Sequence, residues 1–162
     1  MGIQTAGDGS HLPVLIKIMS LTTGPVLELG MGTFSTPFLH WACYTEKRKL
    51  VSYDNVPDLL TWSNSFINDY HTIHLVQDWD AIDLSGSWSV ALVDHAPTAR
   101  RKHEIRKLAD STEYVIVHDS QPERERWQKY EQIYPLFKYR KDFGRENPMT
   151  TVLSNFKDLT DL

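Results

Sequence analysis

The sequence predicts an α/β protein with a doubly wound, mostly parallel seven-stranded sheet, helices on both faces and an antiparallel C-terminal β-hairpin. Two observations support this fold class. Five short apolar segments alternate with stretches of helical periodicity, as in consecutive β-α units. The last two strand-like segments, 136–143 and 150–155, are separated by turn-forming residues, so we expect them to pair as a hairpin.

Each element follows from its local pattern. Residues 1–10 contain three glycines and few apolar side chains, which predicts a flexible N-terminus before a single domain over 11–162. Apolar residues at helical spacing predict helices from His11 onward and over 36–46, 57–70, 98–110 and 122–132. The five parallel strands are predicted from apolar runs at 26–29, 50–54, 72–76, 88–93 and 113–117.

Composition favours a cytoplasmic protein that binds a small ligand. The 162 residues carry a formal net charge of −4, which indicates neither nucleic acid nor an anionic membrane as partner. The single cysteine, Cys43, lies in an apolar run and is predicted to be a buried, inert thiol. No apolar run reaches the roughly 18 residues of a membrane-spanning helix, and the N-terminus lacks the order of a secretion signal.

The segment 25–36 carries the strongest functional signal. An apolar strand runs into a turn containing Gly30 and Gly32, and a helix-compatible segment follows directly. Glycine allows a positive φ and the close approach of a ligand, and a helix N-terminus offers unpaired N–H groups. This pattern predicts a nucleotide-like ligand. A dinucleotide-binding motif would need a third glycine at position 35, where this chain has Ser35.

Polar residues also follow each later parallel strand. Asp54 ends the second strand, and polar clusters at 77–80, 94–97 and 118–121 follow the third, fourth and fifth. The carboxyl ends of parallel strands meet at one edge of the sheet, which is where open α/β sheets bind ligands.

Together these features resemble the class I S-adenosylmethionine-dependent methyltransferases, a Rossmann-like superfamily. The acidic-x-Gly-x-Gly pattern at 28–32, followed by Ser35, is similar to its first motif, and the order of elements resembles it over nearly the whole chain. The resemblance implies that S-adenosylmethionine is the cofactor. It places Gly30, Gly32 and Ser35 along the donor, Glu28 near its ammonium group, and Asp54 at both ribose hydroxyls.

The resemblance implies further roles at the next two strand ends. Asp78 and Trp79 match the position where the family holds adenine, and Asp94 matches a position near the transferring methyl. The alternatives are that Glu28 and Asp54 only cap the helices after them and that Trp79 packs in the core.

The candidate catalytic residues are Asp94, His95, His118 and Asp119. The two histidines are candidate bases for a hydroxyl acceptor because histidine titrates near neutral pH. Asp94 and Asp119 resemble the pair that holds a divalent metal in catechol-type O-methyltransferases, and oxygen ligands would suit Mg²⁺. That family usually supplies an amide after the second acid, and here the residue is Ser120, so no metal site is predicted.

The sequence therefore predicts a methyltransferase acting at oxygen on a small-molecule acceptor. The alternatives are a catalytically silent donor-binding module, aminopropyl transfer, or cleavage of the sulfonium. The segment 94–97 lacks the aromatic residue of base-modifying enzymes, which argues against nucleic acid. Small-molecule members of this superfamily usually cover the acceptor with added segments, and here only residues 1–24 precede the first motif. The acceptor is therefore expected to be large or loosely held, or to be covered by a second subunit, and we prefer a homodimer.

Overall fold

The computed structural model describes residues 6–144 and 148–162, and their sheet has the predicted mixed architecture. Seven strands lie in the order β3-β2-β1-β4-β5-β7-β6. The first five are mutually parallel, β7 is antiparallel to β5, and β6 is antiparallel to β7. The strands are β1 Val26–Leu29, β2 Leu50–Asp54, β3 His71–Leu75, β4 Trp88–Val93, β5 Thr112–His118, β6 Tyr139–Phe143 and β7 Thr150–Ser154.

Helices cover both faces of this sheet. They are α1 Leu12–Ser20, α2 Ser35–Glu46, α3 Pro57–Ser63, α4 Arg101–Leu108 and α5 Glu125–Gln128. Side chains of β4 show how the two faces are filled. Val90 and Leu92 pack in a core with α1 and α2, whereas Ala91 and Val93 pack in a second core with α4. This alternation is expected for a strand buried on both faces.

Several predicted elements are shorter or more broken than their sequence pattern. The helix predicted over 57–70 ends at Ser63 and continues only as a 3₁₀ turn, Asn64–Phe66. The helix predicted over 122–132 is divided into 3₁₀ turns around the four residues of α5. Lys129 has a positive φ of 53°, which ends helical geometry there.

The N-terminal segment differs from the predicted flexible tail. Residues 1–5 lie outside the described part of the chain, but Ala6–Gly9 form a 3₁₀ turn. Ser10 then uses its hydroxyl to contact Nε2 of His118 at 3.1 Å and to donate to the carbonyl of Pro148 at 3.2 Å. These contacts hold the start of the domain against the carboxyl end of β5.

Two further predictions concern Cys43 and membrane insertion. Cys43 is fully buried, and burial raises the pKa of its thiol to about 12, as expected for an inert core cysteine. Across residues 6–144 and 148–162, none of the helices combines the length and apolar character that crossing a bilayer requires.

Candidate functional site

The two glycines of the turn after β1 have different structural roles. Gly30 has a φ of +98°, and a Cβ there would overlap the backbone nitrogen of His95 and the carbonyl carbon of Asp94. Gly32 is different, because a Cβ there would meet only the Ser35 hydroxyl, at 3.8 Å. Gly30 therefore lets β1 pass close to the loop after β4, whereas Gly32 lies beside open space.

Asp54 holds this turn from the end of β2. Its Oδ2 accepts a hydrogen bond from the N–H of Met31 at 2.7 Å, and its Oδ1 accepts one from the N–H of Val56 at 2.7 Å. Burial raises the pKa of Asp54, although these backbone donors act in the opposite direction. The carboxylate thus joins the glycine turn to the start of the segment that leads into α3.

Glu28 lies beneath the turn and is fully buried. Its Oε1 accepts hydrogen bonds from the hydroxyls of Ser35 at 2.7 Å and Thr36 at 2.9 Å, and its Oε2 accepts one from Ser52 at 2.6 Å. Thr36 also accepts the N–H of Gly32 at 3.0 Å. Glu28 and Ser35 were expected to contact the methyl donor. In this structure their side-chain oxygens instead form hydrogen bonds within the protein.

Ser52 connects Glu28 to two buried histidines, His71 on β3 and His40 on α2. Nε2 of His71 lies 2.9 Å from the Ser52 hydroxyl, and the Nδ1 atoms of His71 and His40 are 3.2 Å apart. Burial lowers the pKa of His71 to about 4, and it also lowers that of His40, so both imidazoles are neutral at pH 7. Burial raises the pKa of Glu28 to about 7, against the effect of its three hydroxyl donors.

Asp78 and Trp79, the two residues after β3 that were expected to hold adenine, differ in their exposure. Asp78 is exposed, and its Oδ1 accepts the N–H of Asp80 at 2.9 Å. Trp79 is only 6% exposed and stacks on the imidazole of His95, with ring centroids 3.9 Å apart. Trp79 therefore packs in the core, which is the alternative given above, and does not present its ring to a ligand.

His95 is buried on the same side and does not reach the candidate site. Its Nε2 lies 3.3 Å from Oε2 of Glu104, and both side chains are fully buried. Trp79 covers one face of the ring. His95 was expected to be a catalytic base. In this arrangement its ring lies between Trp79 and Glu104, and its role as a base stays a prediction.

Arg101 was not identified from the sequence, yet it connects the ends of β4 and β5. The guanidinium is 3% exposed and donates to the carbonyls of His95 at 2.7 Å, His118 at 3.0 Å and Asp94 at 2.7 Å. Its Nη2 also lies 3.0 Å from Oδ1 of Asp94. In the sequence Arg101 is one of several basic residues in the helix predicted over 98–110, and nothing distinguishes it from its neighbours.

Asp94 and His118 lie together at the ends of β4 and β5, with His11 beside them. Oδ2 of Asp94 lies 3.2 Å from Nδ1 of His118, and the rings of His11 and His118 meet edge to face with centroids 4.6 Å apart. Burial raises the pKa of Asp94. The opposite effect of His118 and Arg101 is larger, so the net shift of this pKa is downward. Burial beside His118 lowers the pKa of His11 to about 4.

Asp119 points toward a different set of partners. It has a positive φ of 58°, and its Oδ2 lies 3.1 Å from Arg124 and 3.9 Å from Arg101. Its carbonyl accepts a hydrogen bond from Gln128 at 2.9 Å. Asp119 thus anchors the segment containing α5. The Ser120 hydroxyl accepts a hydrogen bond from Thr151 at 2.8 Å, within the hairpin side of the sheet.

Comparisons with known proteins identify the fold. No family model and no curated protein sequence matches this chain. Solved structures do match this chain. One is the human METTL16 catalytic domain in complex with MAT2A 3'UTR hairpin 1, with a TM-score of 0.67 at 9% sequence identity. The match covers 98% of this chain and 73% of the METTL16 chain. M. capricolum TrmK with S-adenosyl-homocysteine has a TM-score of 0.55 at 11% identity, covering 91% and 70%.

A third similar structure is the Pnkp1/Rnl/Hen1 RNA repair complex, with a TM-score of 0.64 at 10% identity. It covers 94% of this chain, which spans only 42% of the matched chain. The protein therefore has the class I S-adenosylmethionine-dependent methyltransferase fold, as its sequence predicted.

These neighbours correct one prediction. A small-molecule acceptor without nucleic acid was expected, but similar folds are found bound to a 3'UTR hairpin and within an RNA repair complex. A net charge of −4 is summed over the whole chain and does not report how basic side chains are distributed, so it was not sufficient to exclude nucleic acid.

Proposed function

We propose that this protein is a methyltransferase that uses S-adenosylmethionine as methyl donor and RNA as acceptor. The observation that carries the proposal is the turn after β1, where Gly32 borders open space beside the carboxyl end of β2. In this fold ligands bind at that edge of the sheet. Several solved neighbours are methyltransferases, two of them with S-adenosyl-homocysteine, which is consistent with the same donor here.

The proposed donor site uses Gly32, Asp54 and Asp78. Each Asp54 oxygen accepts one backbone N–H. A carboxylate offers about four lone-pair positions, which is more than these backbone donors occupy, so Asp54 can also accept from a ribose hydroxyl. Asp78 is exposed after β3, where its second oxygen can accept the exocyclic amine of adenine. Glu28 and Ser35 are assigned a different role, that of fixing the turn from beneath.

Asp94 is the proposed residue on the acceptor side. Its side chain is 25% exposed at the end of β4, next to the backbone that contacts Gly30. Methyl transfer is an in-line displacement in which the acceptor attacks the methyl carbon, the bonding pair returns to sulfur and the acceptor's proton is released to solvent. Alignment is the main requirement. Asp94 would accept a hydrogen bond from the acceptor O–H or N–H and orient it. His118 is assigned to positioning Asp94.

The surface around α5 provides chemistry suited to RNA. Trp127 is 62% exposed, and the guanidinium of Arg126 lies 5.3 Å from its ring centroid. Lys129 is exposed on the same segment, and Arg124 joins this segment to Asp119. Exposed aromatic rings stack on unpaired bases, and nearby cations contact phosphates.

Donor binding is tested by calorimetry with S-adenosyl-homocysteine. The wild-type protein should bind one equivalent in the micromolar range, and Asp54→Asn should bind at least about tenfold more weakly, since one charged acceptor is removed. Asp58→Asn, an exposed acid in the first turn of α3, is the matched control and should bind like wild type. No binding by the wild-type protein would overturn the proposal.

The acceptor is tested by transfer of a labelled methyl group to structured and single-stranded RNA. Trp127→Ala should reduce RNA affinity by roughly tenfold, because base stacking contributes about 1–3 kcal/mol. Trp41→Ala removes a tryptophan of similar exposure, 60%, from α2 and should have no effect. Donor binding without RNA methylation would instead indicate a silent module, and donor breakdown without any acceptor would indicate other sulfonium chemistry.

A further inference from the structure

Three potential metal-ligating side chains meet at the carboxyl ends of β4 and β5. One ligand atom each from His11, Asp94 and His118 lies within 4.8 Å of the other two. These residues come from the segment before α1, from the end of β4 and from the end of β5. Two imidazoles and one carboxylate form a ligand set that binds divalent transition metals and leaves coordination positions open.

His11 provides the independent observation. Its side chain is 2% exposed, and neither ring nitrogen has a hydrogen-bond partner among the residues that the structure describes. Leaving a buried polar atom without a partner costs about 1–3 kcal/mol, so such atoms are uncommon without a reason. The ring lies edge to face against His118, so its polar atoms share the volume that holds the other two groups.

The contacts of the other two residues select their ligand atoms. Ser10 occupies Nε2 of His118 at 3.1 Å, which leaves Nδ1 on the side of Asp94. Nδ1 is buried and lies 3.2 Å from Oδ2 of Asp94, close enough for an ion pair but not aligned as a hydrogen bond. Arg101 holds the other oxygen of Asp94 at 3.0 Å. Outer partners of this kind commonly fix the orientation of metal ligands.

We propose that His11, Asp94 and His118 form a binding site for one divalent transition-metal ion, of the Zn²⁺, Co²⁺ or Mn²⁺ class. Metal–ligand bonds of about 2.0–2.2 Å bring neighbouring ligand atoms to roughly 3.0–3.5 Å, so a ligand pair separated by up to 4.8 Å must close by about 1–2 Å on binding. Mg²⁺ is disfavoured because it prefers oxygen ligands. The site differs from the sequence-derived pairing of Asp94 with Asp119, and it does not depend on methyl transfer.

The test uses the full chain after removal of metal with a chelator. Calorimetry with Zn²⁺ and the visible spectrum with Co²⁺ should each give one equivalent bound, and Mg²⁺ should bind at least about a hundredfold more weakly. His11→Ala and Asp94→Asn should each weaken Zn²⁺ binding at least about tenfold. His103→Ala removes an exposed histidine of α4 and is the matched control.

A second measurement avoids substitutions altogether. Adding Co²⁺ to the wild-type protein should shift or broaden the imidazole proton resonances of His11 and His118, while those of His103 remain unchanged. Absence of a stoichiometric site, or broadening spread equally over the exposed histidines, would overturn the proposal. Calorimetry with S-adenosyl-homocysteine in the presence of chelator reports the proposed donor site separately, so failure of either site can be recognised.

Discussion

The two halves of the ligand-binding edge differ in how their polar groups are satisfied. At β1 and β2, both oxygens of Glu28 accept hydroxyl hydrogen bonds, and both oxygens of Asp54 accept backbone N–H groups. At β4 and β5, both nitrogens of His11 and Nδ1 of His118 have no aligned partner among the described residues. The polar groups of the first half are therefore already held in place by the protein. The second half has buried nitrogen atoms that still lack a partner, which a bound ligand could supply.

The largest expected effect concerns the residue that holds the second half together. Arg101→Met keeps the length of the side chain but removes the donors to three carbonyls and the partner of Asp94. Buried acceptors and a charge are then left unpaired, so the free energy of unfolding should fall by about 5 kcal/mol. Urea denaturation measures this. Arg106→Met changes an exposed residue of the same helix and should have an effect below about 0.5 kcal/mol. Equal effects would refute the role given to Arg101.

A second prediction separates the two glycines. Gly30→Ala combines a positive φ with overlap of the backbone after β4, so it should lower the free energy of unfolding by about 4 kcal/mol. Gly32→Ala meets no backbone atom within 4 Å and should change stability little, yet it should weaken S-adenosyl-homocysteine binding. Thermal melts and calorimetry on both variants measure the two effects. The distinction fails if Gly32→Ala is as unstable as Gly30→Ala.

A third prediction uses the protonation of Glu28. Burial raises the pKa of Glu28 to about 7 in the folded protein, above its value of about 4.3 in an unfolded chain. The folded state thus binds the proton more tightly, and the stabilisation is complete below about pH 4.3 and is lost as the pH rises to about 7. Glu28→Gln lacks this dependence, so its stability relative to wild type should rise by up to about 3 kcal/mol over that window.

The glutamine can retain the hydrogen bonds of the network. Its amide oxygen accepts from Ser35 and Thr36, and its NH₂ group donates to Ser52, which can then donate to His71. The exposed Glu46→Gln is the matched control for denaturation at each pH. Parallel pH profiles for Glu28→Gln and wild type would show that Glu28 does not titrate in this range.

The sequence was sufficient for the features that are encoded locally. Apolar runs located the five parallel strands, turn-forming residues located the hairpin, and the glycine turn with Asp54 at the next strand end identified the class of fold. The contacts that decide the site are not local. Ser10 meets His118 across 108 positions and Ser52 meets Glu28 across 24, so no spacing pattern records them.

The features that the sequence did not reveal have the same origin. His95 follows a strand end in sequence, but its side chain turns into the core between Trp79 and Glu104, a direction that depends on the packing of α4. Nothing in the sequence around His11 distinguishes it from the other histidines, and only the fold brings it to Asp94.

The central claim is that the turn after β1 and the end of β2 bind the methyl donor. The most direct measurement is a crystal structure with S-adenosyl-homocysteine. We predict its amino acid part against Gly32, its ribose hydroxyls on Asp54 and its sulfur directed toward Asp94. A ligand bound elsewhere, or an unchanged, ligand-free turn at saturating concentration, would contradict the account.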